Sequence, residues 1–281
     1  MATLILQGAA LTQDAAAQIA NSLQGFIDWR NKFAIISTDK ECDVDVLETL
    51  REQHLFDINC LPDAFDVSAV GLLVTDMDST LITIECIDEI ADFMNLKPQV
   101  AAITESAMRG EIDFETSLRQ RVSLLKGLDV TVLERVYDER LKLSPGAEVM
   151  VSSLKSSGIK LALVSGGFTF FTDRLKQRLN LDFSQANRLA EHDGKLTGEV
   201  EGDICGAQTK ADFLLDCCEQ IGIRPEQTIA VGDGANDLLM MQPAGLSVAY
   251  HAKPTVQQQA DTVINHNGLD AILGLLQLEY N

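Results

Sequence analysis

Apolar residues along this chain fall into three textures, and each predicts a different kind of structure. Over residues 1–70 the pattern gives a strand at 3–6, a helix over 12–26, a strand at 33–37 and a helix over 44–54, with a further strand near 65–67. Residues 68–74, Ser-Ala-Val-Gly-Leu-Leu-Val, form an apolar run suited to a strand buried on both faces of a parallel sheet. The stretch 84–142 reads as mostly helical, rich in charge and nearly free of Gly and Pro, until Ser144-Pro145-Gly146 punctuates it. From there strands and helices alternate: helix 147–156, strand 160–164, helix 169–179, a glycine-rich hairpin around 193–202, helix 209–221, strand 228–231, helix 237–241, strand 246–249 and helix 269–276. Such alternation predicts an α/β fold with a parallel sheet covered by helices on both faces.

Composition narrows the partners. The chain has 281 residues, 46% hydrophobic and 23% charged, which suits a globular protein with a sizeable core. Its 22 basic against 42 acidic residues give a net charge of −20. That field repels phosphate backbones and anionic headgroups, so neither nucleic acid nor a membrane is the expected partner. A small anionic substrate would need concentrated positive charge or a metal ion. Six cysteines, at 42, 60, 86, 205, 217 and 218, form no CxxC pair, and their scatter predicts reduced thiols and a cytoplasmic setting. No basic leader opens the chain, and no apolar stretch approaches the ~18 residues of a membrane span.

In parallel sheets ligands bind beyond the carboxyl ends of the strands, so the residues just past each strand carry the chemistry. Thr75-Asp76-Met77-Asp78-Ser79-Thr80 follows the first buried strand, Ser165-Gly166-Gly167 the second and Gly232-Asp233-Gly234-Ala235-Asn236-Asp237 a later one, while Lys210 opens the helix before it. Taken alone, Asp76 and Asp78 are as well explained by a turn, where Asp and Ser are common. The second acidic cluster changes that, because Asp76 and Asp233 together offer the hard oxygen ligands that suit magnesium. Ser165-Gly166-Gly167 supplies a hydroxyl and backbone N–H groups at a helix start, an anion cradle, although a plain turn would look the same. Lys210 alone would be a solvated surface lysine; beside two carboxylate clusters it becomes the counter-charge for a phosphate.

These four segments, in this order and spacing, resemble the four motifs of the haloacid dehalogenase-like phosphohydrolases over residues 71–281. The resemblance implies a Rossmannoid parallel core over 71–83 and 143–281, a helical cap over 84–142 and a small N-terminal α+β domain over 1–70. It implies that Asp76 attacks phosphorus to form an aspartyl-phosphate, a carboxylate needing no base to activate it. Asp78 would protonate the leaving alkoxide and then activate water. Ser165, the Gly166 N–H, Lys210 and Mg2+ would stabilise the transferring phosphoryl group. The metal would be held by Asp76, Asp233 and the main-chain carbonyl of Asp78, with Asp237 in support. Relatives that pump ions carry threonine at the Asp78 position and phosphonate-cleaving ones alanine, so aspartate here implies a phosphate ester.

Glu85 and Arg121 in the cap would by themselves be solvated helix residues. Their segments, Thr-Ile-Glu-Cys-Ile-Asp-Glu-Ile-Ala and Phe-Glu-Thr-Ser-Leu-Arg-Gln-Arg-Val, resemble those of the phosphoserine phosphatases. There the matching glutamate binds the substrate ammonium and the matching arginine its carboxylate, pairings that the chemistry favours. Met108 and Phe114 match apolar residues lining that cap, and Asn236 a residue near the substrate phosphate. The expected reaction is hydrolysis of O-phosphoserine to serine and phosphate, the last step of serine biosynthesis. Transfer of the phosphoryl group to homoserine, a broader phosphomonoesterase and a serine-sensing regulatory protein are the alternatives. Residues 1–70 show a partial match to the βαββαβ order of amino-acid-binding ACT domains, and a dimerisation or packing module is the preferred account, leaving a homodimer open.

Overall fold

The structure, a computed structural model, describes residues 2–280, with the side chain of Met108 outside the described set. The N-terminal segment runs β1 (Ala2–Gln7), α1 (Gln13–Ser22), β2 (Phe26–Trp29), β3 (Phe33–Thr38), α2 (Val44–Gln53) and β4 (Asp57–Leu61). Its strands form an antiparallel sheet in the order β2-β3-β1-β4. Side chains alternate across a strand, and the alternation sorts this sheet's two faces. Leu4, Leu6, Ala34, Ile36 and Ile58 pack with Ala16, Ile19, Ala20 and Leu47 of the two helices. Ile5, Phe33 and Ile35 turn the other way and join the main core.

Here the sequence reading is corrected in three places. The helix predicted over 12–26 ends at Ser22, because Gln24 adopts a left-handed φ of 52° and β2 follows. The strand expected near 65–67 is absent; β4 lies at Asp57–Leu61, and Val67–Ala69 is a 3-10 turn capped by Asp66. With β2 and β4 included, the order is the complete βαββαβ pattern, of which the periodicity displays only part. Strand β2 is legible only in the structure, since it is an edge strand mostly exposed on both faces and lacks the alternation of a half-buried one.

The second sheet has seven strands in the order β11-β10-β9-β5-β6-β7-β8. They are β5 (Leu72–Thr75), β6 (Lys160–Phe168), β7 (Phe183–His192), β8 (Lys195–Glu201), β9 (Thr228–Gly232), β10 (Leu246–Tyr250) and β11 (Thr262–Ile264). All neighbours pair in parallel except β7 and β8. That last pair is the expected hairpin, closed by Asp193-Gly194 with φ of 53° and 73°, the conformation that two-residue hairpin loops favour. Strand β5 alternates as a doubly buried strand should. Leu73 faces a cluster with Leu161, Leu163, Ile229 and Val231, whereas Leu72 and Val74 face one with Ala162, Val164 and Ala230.

Four helices, α3 (Cys86–Asp92), α4 (Lys97–Met108), α5 (Phe114–Ser123) and α6 (Thr131–Glu139), leave the sheet between β5 and β6, as the charged helical texture predicts. Helices α7 (Ala147–Ser156), α8 (Thr169–Leu179) and α9 (Ala207–Ile221) link the later strands. From β5 the chain steps one way to β6 and the other way to β9, so the crevice between the carboxyl ends of β5 and β9 is the switch point where such sheets bind ligands. The N-terminal sheet is fastened at the far edge. The Asn59 amide exchanges two hydrogen bonds with Val263 of β11, at 2.8 and 2.9 Å. The buried Asp57 carboxylate accepts from the Asn265 and His266 amides and from Asn267 Nδ2. Among the described residues no helix is long and apolar enough to cross a membrane.

Candidate active site

Asp76 continues β5 toward the switch point, its amide donating to the Val231 carbonyl of β9 at 2.9 Å. Its carboxylate meets Lys210, which projects from the first turn of α9 and is wholly buried. The ammonium lies 2.7 Å from Asp76 Oδ1 and 2.7 Å from Asp237 Oδ1. Asp237, also wholly buried, accepts the Gly234 amide with its other oxygen, which folds the loop after β9 back on itself. Asp233, half-buried on that loop, accepts the Thr80 hydroxyl at 3.1 Å. Oxygens of Asp76, Asp233 and Asp237 all lie within 4.8 Å of one another.

Three carboxylates here share one ammonium. Burial raises Asp76 well above the ordinary carboxylate range, the Asp237 charge adds to this, and Lys210 only partly opposes it. Burial also raises Asp233, to about 6, with Asp237 contributing. For Lys210 burial pulls the ammonium down, but attraction to Asp237 and Asp76 outweighs it and the net shift is upward. Asp76 Oδ1 has the Lys210 ammonium at 2.7 Å and no other polar partner among the described residues. Clustered hard oxygens, with three buried or half-buried carboxylates to one ammonium, fit a divalent cation.

Asp78 turns away from that cluster. Its Oδ1 accepts the Cys86 amide at 2.8 Å, and its Oδ2 accepts the Ser165 hydroxyl at 3.2 Å. Burial raises its pKa, against the hydrogen bonds from Cys86 and Ser165 and the Lys210 charge. The Ser165 hydroxyl in turn accepts the Gly167 amide at 2.8 Å. Only glycine fits at 167, since a Cβ there would come within 2.6 Å of Asp78 Oδ2. Ser165-Gly166-Gly167 precedes α8, as expected, but as the end of a longer strand rather than as a turn. Strand β6 continues to Phe168, the N-cap of α8, so the segment lies where the β6–β7 register shifts, immediately before the helix. Bulges of this kind re-aim backbone groups beside a site.

The helical segment supplies the remaining groups. Phe114 opens α5 and lies over Gly166, where a Cβ would meet its ring at 2.9 Å. Arg121, half-buried on α5, is lowered by burial while Asp88, Glu85 and Asp78 pull it back up. Glu85 precedes α3, and its Oε1 accepts the Ser79 hydroxyl at 2.7 Å. The residue keeps a solvent-exposed face, yet protein crowds the carboxylate. This loss of hydration raises it to about 7, with Asp78 adding and the Ser79 bond opposing. Water at the exposed face screens part of that effect. Asn236 lies half-buried on the 3-10 turn between Gly234 and Asp237. Met108 ends α4, and its side chain lies outside the described residues.

Two residues at the site escape the sequence reading. Asn187, buried on β7, donates to the Gly166 carbonyl at 2.8 Å and accepts the Cys205 amide at 2.7 Å, tying the Ser-Gly-Gly segment to the loop before α9. No motif surrounds it. Ser79 stands inside the first motif, but its left-handed φ of 56° is invisible in the residue letters.

A family model of haloacid dehalogenase-like hydrolases matches residues 70–245. The phosphoserine phosphatase of a Polaromonas strain is 54% identical over 78% of this chain and 95% of its own length. Among solved structures, a HAD family hydrolase from Salmonella enterica serovar Typhi aligns over 99% of both chains, with TM-score 0.90 and 34% identity. A probable phosphoserine phosphatase from Vibrio cholerae, unliganded, covers 98% of this chain and 86% of that one, with TM-score 0.85 and 42% identity. The ordered motifs, the acid cluster at the switch point and these matches agree, and the chain belongs to the haloacid dehalogenase-like hydrolase family.

Proposed function

We propose that this protein is a phosphoserine phosphatase, hydrolysing O-phosphoserine to serine and inorganic phosphate. The observation that carries the reading is a pair of opposite charges, Glu85 and Arg121, set on the helical segment beside Asp78. That pairing matches a zwitterionic leaving group, and the named relatives support it. An oxygen of Asp76 attacks phosphorus as the bond from phosphorus to the serine oxygen breaks. Asp78, whose pKa burial raises, serves as the acid that gives a proton to that departing oxygen. Water then attacks the aspartyl-phosphate, Asp78 takes its proton, and the bond from phosphorus to Asp76 breaks to return the free carboxylate. Lys210 stays charged throughout and faces the developing phosphoryl charge.

Asp76 and Asp233, with the Asp78 carbonyl, would hold Mg2+. Asp237, committed to Lys210 and the Gly234 amide, would support them from beside. A bound divalent cation offsets the charge of the carboxylates and the incoming phosphate. Phe114 over Gly166 would keep bulk water out, with Met108 and Asn236 as further substrate neighbours.

The two sheets and the helices between β5 and β6 support a division into a packing module over 1–70, a catalytic core over 71–83 and 143–281, and a cap over 84–142. Six free cysteines support a cytoplasmic setting. The test is phosphate release from O-phosphoserine with and without Mg2+, for wild type and Asp76→Asn, with homoserine added in parallel. Release that needs the metal and collapses in the variant is the expected result. Accumulation of phosphohomoserine would replace hydrolysis by transfer, and absence of turnover would remove the substrate assignment.

A further inference from the structure

We propose that Ser79 is a positioning residue for substrate specificity, holding the Glu85 carboxylate where the substrate's ammonium group arrives. The inference rests on the reading of Glu85 given above and adds a residue to it. Ser79 lies in the turn Met77–Leu81 with φ 56° and ψ 2°, a left-handed conformation that a side chain with a Cβ disfavours. Glycine, asparagine or aspartate would relieve the backbone there. Serine contributes instead a hydroxyl aimed at Glu85 Oε1, 2.7 Å away. The backbone closes the same loop, with the Ser79 amide donating to the Ile84 carbonyl at 3.2 Å.

Glu85 needs such a partner. It is the N-cap residue of α3, yet its side chain makes no capping bond. The Cys86 amide, first of α3, donates to Asp78 and not to Glu85. Nearby charges of Asp78, Asp233 and Asp88 repel its carboxylate. Without Ser79 the side chain has no hydrogen bond among the described residues to oppose its swinging out to solvent through its exposed face. With Ser79 engaging Oε1, Oε2 stays open to a cationic ligand.

The test compares two substrates on three proteins. The substrates are O-phosphoserine and the phosphate monoester of 3-hydroxypropanoate, which keeps the carboxylate and the ester but lacks the ammonium. The proteins are wild type, Ser79→Gly and Ser79→Ala, and glycine suits the left-handed angle better than serine, so Ser79→Gly keeps the loop. Loss of one hydrogen bond to a charged group should raise KM for O-phosphoserine ~10-fold, with kcat changed less than ~3-fold. Kinetics with the ammonium-free ester should stay at the wild-type level, so the preference narrows by the same factor. An unchanged preference in both variants overturns the proposal. Equal losses on both substrates also overturn it, because Ser79 would then act through Asp78 or the turn. Wild type with no preference between the two substrates would refute the ammonium role of Glu85 first, and this proposal with it.

Discussion

The two ends of the proposed active site handle charge in opposite ways. At the proposed phosphate end, Lys210 and Asp237 are wholly buried and Asp76 nearly so, and Lys210 holds both carboxylates at 2.7 Å. At the amino-acid end, Glu85 and Arg121 keep exposed or half-exposed faces, and each makes one side-chain hydrogen bond, neither of them to an opposite charge. The first end is a preorganised apparatus whose charges were desolvated when the chain folded. The second is left open, and under the proposed function the substrate supplies its missing counter-charges. Preorganised groups govern the rate of a chemical step, whereas groups that await a ligand govern its affinity.

The largest break in this comparison is Asp76→Asn. The amide is a far weaker nucleophile, and kcat should fall by ~10³-fold or more with the fold intact, measured by phosphate release and circular dichroism. Next comes Lys210→Met, which leaves Asp76 and Asp237 facing each other without their ammonium. Removing one partner of a buried ion pair costs about 3–5 kcal/mol, so the melting temperature should drop as well as kcat. Added Mg2+ should restore more stability to this variant than to wild type, as read by thermal melts with and without the metal. At the open end the effect changes character. Glu85→Gln should raise KM for O-phosphoserine by ~10-fold or more while kcat falls much less, because the pair forms only with substrate.

This difference also explains what the sequence discloses. The phosphate end is legible because each of its groups sits just past a strand or in the helix before one, and the strands announce themselves by apolar runs. Asp76, Asp233 and Lys210 follow from that placement. Glu85 and Arg121 do not follow from periodicity, since a charged residue on a charged helix looks solvated; resemblance alone singles them out. Asn187 is hidden for a further reason, its role depending on the β6–β7 register shift rather than on its neighbours in sequence. The Ser-Gly-Gly segment is legible only in part. Its letters suit a helix start, but β6 runs on to Phe168 before the helix begins. The N-terminal sheet is half legible: α2 and two strands, β1 and β3, follow the pattern, but β4 lies away from the strand expected near 65–67 and edge strand β2 has too little buried surface to leave one.

Acidity gives the smallest and most selective break. Burial raises Glu85 to about 7 in the free protein, so below that pH the carboxylate gains a proton and loses its attraction for an ammonium. The kcat/KM for O-phosphoserine should therefore fall on the acid side of about 7. Glu85→Gln should abolish that limb, and the ammonium-free ester should never show it. Asp233, raised to about 6, would give a second limb common to both substrates, and bound metal would move it to lower pH. Stability carries the same signature with a fixed sign. A carboxyl whose folded pKa is raised stabilises the fold below its unfolded value of 4.5, and that contribution disappears as pH rises through about 7. Glu85→Gln mimics the neutral form at every pH, so in the absence of metal and substrate it should melt above wild type at pH 8 and level with it at pH 4. The exposed face of Glu85 screens the charge, so the gain at pH 8 should be about 1–3 °C. A larger gain would mean that Glu85 is as closed in as Asp76, and the contrast between the two ends of the site would be lost.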